Sequence, residues 1–276
     1  MSRLIRSLLF VPGSRPERFE KALNAGADMI CIDLEDAVLA QYKSTARQSV
    51  IQFLQGINEQ RKEQVCVRVN PINTSLGQDD LTALARVQPA AIMLAKCEDA
   101  AQVKTAKHEL NSPNTYIIPL VETLQGLNNA VAIASADKCV KEIMFGGADM
   151  ASELCCEFSY EPLLFVRSQL VIAAATANVG LIDVPFIDIK NASGLLNETV
   201  KISALGFTGK AAIHPCQVAQ IHAGFTPSEA QVEYASRAVN AASRGDGGAI
   251  VIDGKMIDGP IVIACERILK LAKQAN

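Results

Sequence analysis

Glu122 and Asp149 are the two residues whose type and setting most plainly suggest chemistry. Glu122 ends the apolar run Tyr-Ile-Ile-Pro-Leu-Val at residues 116–121, and Asp149 follows Ile143-Met144-Phe145 and the pair Gly146-Gly147. A short apolar run rich in β-branched residues and closed by a polar one reads as a buried strand with a functional group at its C-terminal tip. If the two strands are parallel neighbours, both carboxylates emerge at one mouth of the sheet, where two oxygen donors with room for water suit Mg²⁺. The competing reading makes each carboxylate a cap for the helix that follows. Gly146 and Gly147 favour a site, because bare backbone beside Asp149 lets an anionic ligand reach amide N–H groups at a helix start.

Other chemistry-bearing residues fall at similar positions. Glu35 and Asp36 close the acidic cluster after the run at 29–32, and Arg68 lies near the end of 65–69. Arg68 is either ion-paired with Glu35 or Asp36, or free to clamp a substrate carboxylate with its planar fork. Lys96, after the run at 91–94, raises a rival chemistry, a Schiff base with a keto acid. Its neighbours Cys97, Glu98 and Asp99 argue instead for a solvated position. Asp183 is a further acidic tip. His214, before Pro215, reads as a hydrogen-bonding loop residue, and Asp258, ahead of Pro260, as a helix N-cap.

Positioning these tips requires eight strands, expected at 7–11, 29–32, 65–69, 91–94, 116–121, 143–145, 181–182 and 211–213. Helices are expected between them, at 16–24, 44–55, 78–86, 100–110, 123–135, 162–178, 191–205 and 216–223. That alternation is the pattern of an α/β fold, a (β/α)8 TIM barrel, whose chemistry sits on the loops after the strands. The expected division is a catalytic barrel at 1–225 and a C-terminal lid at 226–276. The lid contains a helix at 228–243, a Gly-rich hinge at 245–248, a hairpin turning at Asp253-Gly254 and a final helix to about residue 273.

Composition narrows the partners. The 276 residues carry 26 basic and 29 acidic side chains, a net charge of -3, which gives no reason to expect nucleic acid or an anionic membrane. Forty-nine per cent hydrophobic residues with 5% aromatic and no Trp describe an aliphatic core and a small-molecule ligand. The eight Cys form no Cys-x-x-Cys pair and several lie inside apolar runs, as reduced cysteines of a reducing compartment do. No stretch near the start is long enough for a signal peptide or membrane span, so the expectation is a cytoplasmic protein.

A family resemblance joins these residues. Arg6-Ser7-Leu8-Leu9-Phe10-Val11-Pro12-Gly13 and Asp33-Leu34-Glu35-Asp36-Ala37-Val38 resemble the start of the citrate lyase β-subunit-like proteins, in the HpcH/HpaI aldolase superfamily that includes malyl-CoA and citramalyl-CoA lyases. Val67-Arg68-Val69-Asn70, Val121-Glu122-Thr123, Phe145-Gly146-Gly147-Ala148-Asp149, Ile213-His214-Pro215-Cys216-Gln217 and Met256-Ile257-Asp258 extend the likeness over essentially the whole chain. These motifs mark the superfamily without separating its members, and Cys155-Cys156 departs from its pattern.

The resemblance implies that Glu122 and Asp149 hold Mg²⁺, and that Arg68 holds a keto-acid carboxylate with Glu122, Gly147 and Ala148 also against substrate. It further implies that Glu35 and Asp36 back the metal's waters. It makes Asp258 a catalytic acid on a lid that, in relatives, closes over a neighbouring subunit's barrel, hence a homo-oligomer, trimer or hexamer. The activity it implies is Mg²⁺-dependent cleavage of a 3-hydroxyacyl-CoA thioester to acetyl-CoA and a 2-oxo acid, pyruvate or glyoxylate. Two alternatives stand beside it: a citrate lyase β subunit acting on an acyl-carrier-protein thioester in a complex, and a catalytically silent keto-acid-binding protein.

Overall fold

The structure is a computed structural model that describes residues 5–244 and 250–275. Eight parallel strands close into a barrel: β1 (Ser7–Pro12), β2 (Met29–Asp33), β3 (Val65–Val69), β4 (Ala91–Leu94), β5 (Tyr116–Val121), β6 (Glu142–Phe145), β7 (Gly180–Asp183) and β8 (Gly209–Ala212). β8 closes on β1 with Leu8 opposite Ala211. Helices return the chain between strands, as parallel pairing demands.

The strand period of two decides what each residue faces. Leu8, Cys31, Cys66, Met93, Leu120, Met144, Ile182 and Ala211 form one buried cluster drawn from all eight strands, the filling of the barrel. Two residues further along the same inward rows stand Asp33, Arg68, Glu122 and Gly146. The same alternation that packs the core therefore delivers polar groups to the C-terminal mouth.

Several elements depart from expectation. The helix expected at 123–135 is two, Leu124–Asn128 and Ala130–Ala134, broken where the Asn129 side chain donates to Glu98 O at 2.8 Å. β8 begins at Gly209 and ends at Ala212, earlier than the expected 211–213. A short helix at Glu59–Lys62 is additional to the expected elements, and the helix start expected beside Asp149 is that of the short helix Gly147–Glu153. No helix among the described residues is long and apolar enough to cross a membrane.

The chain divides by its internal contacts into a unit ending at His222 and a second beginning at Ala223. In the second, the helices Glu229–Arg244 and Gly259–Ala275 share a small core of Ala235, Ala238, Ile257 and Cys265. Its hairpin pairs β9 (Ile250–Ile252) with β10 (Lys255–Ile257). Asp253 and Gly254 turn it at φ 52 and 74, the doubly left-handed geometry that an Asp-Gly pair accepts. Arg237 grips both Asp253 oxygens, at 3.0 and 2.6 Å. The hinge expected at 245–248 lies outside the described residues.

Candidate active site

The barrel mouth is organised by one arginine. Arg68 donates from Nε and Nη2 to the two oxygens of Asp33, both at 2.7 Å, and its Nη1 lies 3.1 Å from Glu35 Oε2. Asp33 also accepts the backbone N–H groups of Glu35 at 2.8 Å and Ala37 at 3.0 Å, so it shapes the loop that carries Glu35 and Asp36. Both Asp33 and Glu35 are buried. The Arg68 guanidinium stacks over Phe10, 5.3 Å from its ring centre, and its carboxylate partners hold its proton even more firmly than usual. Of the two readings open for Arg68, the ion pair is present, with Asp33 as the larger partner.

Asp33 is the residue that spacing missed. It stood in the acidic cluster without a role, although the inward period from Cys31 already pointed it into the barrel. Lys43 completes the support beneath the loop, donating from Nζ to Leu34 O, Glu35 O and Asn70 Oδ1 at 3.0, 2.9 and 2.6 Å.

Glu122 stands just past β5, buried, with Oε1 accepting the backbone N–H of Lys96 at 2.8 Å. Burial drives its carboxyl up to about 8; the Lys96 N–H and Arg68 oppose that, while Glu35 and Asp149 add to it. Gly146, on neighbouring β6's exit, permits this placement: a Cβ there would fall 2.3 Å from Glu122 Cβ and 2.7 Å from Oε2. Asp149 lies in the first turn of the helix Gly147–Glu153, half-buried, and Ala148 beside it is exposed. The carboxylates expected to converge are thus at the exits of adjacent strands and within electrostatic reach of each other.

Lys96 sits among them with its side chain 41% exposed and Nζ 3.5 Å from Glu35 Oε1. Burial alone would lower its basicity, but Glu35, Asp36, Glu122 and Asp149 together raise it. An ammonium so stabilised is charged at neutral pH, the wrong form for a Schiff-base amine. Burial and the adjacent Asp36 raise the Glu35 carboxyl, against the pull of Arg68 and Lys96. Four carboxylates around one loosely held cation make a place that favours additional positive charge. Among the described residues no three His, Cys, Asp or Glu side chains form a closed metal cage, so an ion here would rest on few protein oxygens and complete its shell with water and ligand.

Two further residues grouped with these tips by sequence, Asp183 and His214, have structural partners of their own, and Asp258 is described within its own unit. Asp183 is fully buried and locked by Arg167 at 2.9 Å and Lys210 at 2.6 Å, and despite the opposing effect of burial these cations hold its carboxyl below the usual range. His214 caps the turn that follows β8, its Nδ1 accepting Cys216 N–H at 3.2 Å. Asp258 belongs to the second unit, where its Oδ1 meets Ile261 N–H at 3.4 Å at the start of the last helix.

Comparison with known proteins identifies the family of this barrel. The family described as HpcH/HpaI aldolase/citrate lyase matches residues 6–215. Citrate lyase subunit beta of Haemophilus influenzae is 34% identical over 285 residues, covering 98% of this chain and 98% of that protein. Mitochondrial citramalyl-CoA lyase of Homo sapiens is 31% identical over 291 residues, covering 97% of this chain and 85% of that protein. The crystal structure of protein CitE from Mycobacterium tuberculosis, in complex with magnesium, acetoacetate and coenzyme A, superposes with a TM-score of 0.85 at 32% identity, covering 97% of this chain and 98% of that one. With a closed parallel barrel, a carboxylate-lined mouth and full-length likeness to these lyases, the chain belongs to the HpcH/HpaI aldolase/citrate lyase family.

Proposed function

We propose that this protein is a Mg²⁺-dependent carbon–carbon lyase that cleaves a 3-hydroxyacyl-CoA thioester, of the citramalyl-CoA or malyl-CoA type, to acetyl-CoA and a 2-oxo acid. The observation that carries this reading is the mouth itself: Glu122 oriented by the Lys96 N–H, with Asp149, Glu35 and Arg68 around it.

The donor set fits magnesium. Glu122 and Asp149 supply hard carboxylate oxygens; burial lifts the Glu122 carboxyl, and Glu35 and Asp149 add negative charge beside it that a divalent ion would neutralise. When bound, the ion supplies Lewis acidity to the substrate's hydroxyl and carboxylate oxygens.

The remaining tasks fall to the chain's own groups. Arg68 receives the carboxylate that becomes part of the 2-oxo acid, and Asp33 fixes the guanidinium so that this contact costs little ordering. Gly147 and Ala148 present main chain to the same carboxylate at a helix start. Glu35 and exposed Asp36 hold water at the mouth. In the reaction the substrate hydroxyl passes its proton to water at the mouth, and the bond to the thioester α-carbon breaks with its electron pair left on that carbon. The hydroxyl carbon becomes the carbonyl of the 2-oxo acid, and Asp258 delivers a proton to the acetyl carbon left behind. Asp258 serves in this reading from a lid over a neighbouring barrel, in a homo-oligomer, trimer or hexamer. Eight free thiols fit a reducing, cytoplasmic setting.

A second reading, a citrate lyase β subunit acting on a carrier-protein thioester, is favoured by the end-to-end likeness to the Haemophilus influenzae protein. Incubation with malyl-CoA, citramalyl-CoA, citryl-CoA and a citryl-loaded acyl-carrier protein tests both. Rapid turnover of either of the first two supports the stand-alone lyase. Cleavage confined to the citryl group on a carrier protein supports the second reading, and release of no acetyl thioester from any of them leaves a silent keto-acid binder.

A further inference from the structure

We propose that the Lys96 side chain is a tethered cation that occupies the carboxylate cluster at the barrel mouth when no divalent ion is there, and withdraws when one binds. The inference rests on reading Glu122 and Asp149 as the ion's ligands.

Three cationic side chains approach this loop cluster, and two are committed. Arg68 spends Nε, Nη2 and Nη1 on Asp33 and Glu35 at 2.7, 2.7 and 3.1 Å. Lys43 Nζ lies beneath the loop, on two carbonyls and Asn70 at 3.0, 2.9 and 2.6 Å. Among the described residues Lys96 Nζ has a single long ion pair, 3.5 Å to Glu35, and its side chain is 41% exposed against 12% for Arg68. It is the one of the three with freedom to move.

Its root is fixed. Lys96 holds φ at 49, a left-handed conformation that a non-glycine residue keeps only when its surroundings impose it. What imposes it is visible: the Lys96 N–H is bonded to Glu122 Oε1 at 2.8 Å, and the next N–H, of Cys97, to Leu120 O at 3.1 Å. The main chain therefore stays beside β5 whether the side chain is in or out. A four-carbon stem on a pinned root lets the ammonium move without disturbing Glu122. In a metal-free mouth it offsets carboxylates that would otherwise repel one another. A doubly charged ion among those carboxylates repels it in turn, and its exposed side gives it an exit to water. The physical consequence is competition: part of the ion's binding energy is spent displacing Lys96.

The test is Mg²⁺ titration by calorimetry of wild type, Lys96→Met, Lys96→Gln and Lys96→Arg, with thermal melts in chelator and in saturating Mg²⁺. Losing the charge should tighten Mg²⁺ binding at least about fivefold in both neutral variants. It should also lower the melting temperature in chelator but not in saturating Mg²⁺. Lys96→Arg, which keeps the charge, should stay within about twofold of wild type. A purely structural role would weaken Mg²⁺ binding on substitution, so equal or weaker affinity in folded neutral variants overturns the inference. Absence of Mg²⁺ binding by wild type would instead remove the ion reading itself, and this inference with it.

Discussion

The backbone N–H of Lys96, just beyond β4, donates to Glu122 Oε1 at 2.8 Å, so the carboxylate that ends β5 is aimed by the strand next to it. Because the donor is main chain, no substitution at 96 other than proline removes it. Glu122→Gln should leave this bond and the fold in place, since the amide oxygen still accepts. Mg²⁺ binding should be lost in calorimetry, and turnover should fall by about two to three orders of magnitude. Asp149→Asn should act in the same direction. Full activity after exhaustive chelation would exclude the metal role of both.

Gly146 gives a steric test of the same site. Gly146→Ala places a methyl 2.3 Å from Glu122 Cβ, so Glu122 must shift. The expected result is a loss of about 1–3 kcal/mol in urea unfolding together with weakened Mg²⁺ binding. Unchanged Mg²⁺ affinity would mean that Glu122 keeps its function in a displaced position.

Arg68 is structural as well as a candidate ligand for substrate. Arg68→Ala leaves Asp33 and Glu35 buried without their cation and should cost about 3–5 kcal/mol of stability, measured by denaturant unfolding. Arg68→Lys keeps a charge but not the two-pronged grip on Asp33, and should retain more of the stability than of the activity.

How far the sequence disclosed this site depends on whether a residue's partners lie nearby in the strand pattern. β4, β5 and the helix Ala100–Leu110 are found at their expected bounds, because uninterrupted apolar runs and the Asp99 capping box mark them locally. β8 was misplaced because Lys210 interrupts it, and a buried lysine is explained only by Asp183 and Glu198, at 2.6 and 2.8 Å and far away in sequence. For the same reason Asp183 looked like a catalytic tip. Arg68 presented two readings because its main partner, Asp33, is 35 positions away and identifiable only once β2 and β3 are paired, with Asp33 opposite Arg68.

Protonation of Glu142 should shape stability against pH. Its buried Oε2 has no hydrogen-bond partner among the described residues, and burial lifts its carboxyl from 4.5 to about 7, with Lys141 opposing. Because the folded value lies above the unfolded one, its contribution is fully present below pH 4.5 and is lost as pH rises to about 7, on the order of 3 kcal/mol in all. Glu122 shares this sign, so the measurement is a difference. Glu142→Gln should gain on wild type between pH 5 and pH 8 in urea unfolding, and a gap that does not change with pH would contradict the assignment.

Asp258 tests the lid. Asp258→Asn and Glu122→Gln should each be inactive, and mixing them after subunit exchange should restore part of the activity if one subunit's lid serves another's barrel. Glu122→Gln suits this pairing better than an Arg68 variant, whose barrel would be weakened. Verified mixed oligomers without recovery would place Asp258 over its own barrel, or leave it only as the cap of its helix.

The central claim is that this mouth breaks a carbon–carbon bond with magnesium. Its most direct test follows acetyl-CoA and 2-oxo acid together, from citramalyl-CoA and malyl-CoA, in wild-type protein before chelation, after it and after Mg²⁺ is returned. The account predicts equal amounts of the two products from at least one ester, their loss on chelation and their return with Mg²⁺. Free CoA appearing without a 2-oxo acid, or cleavage that survives chelation, would contradict it.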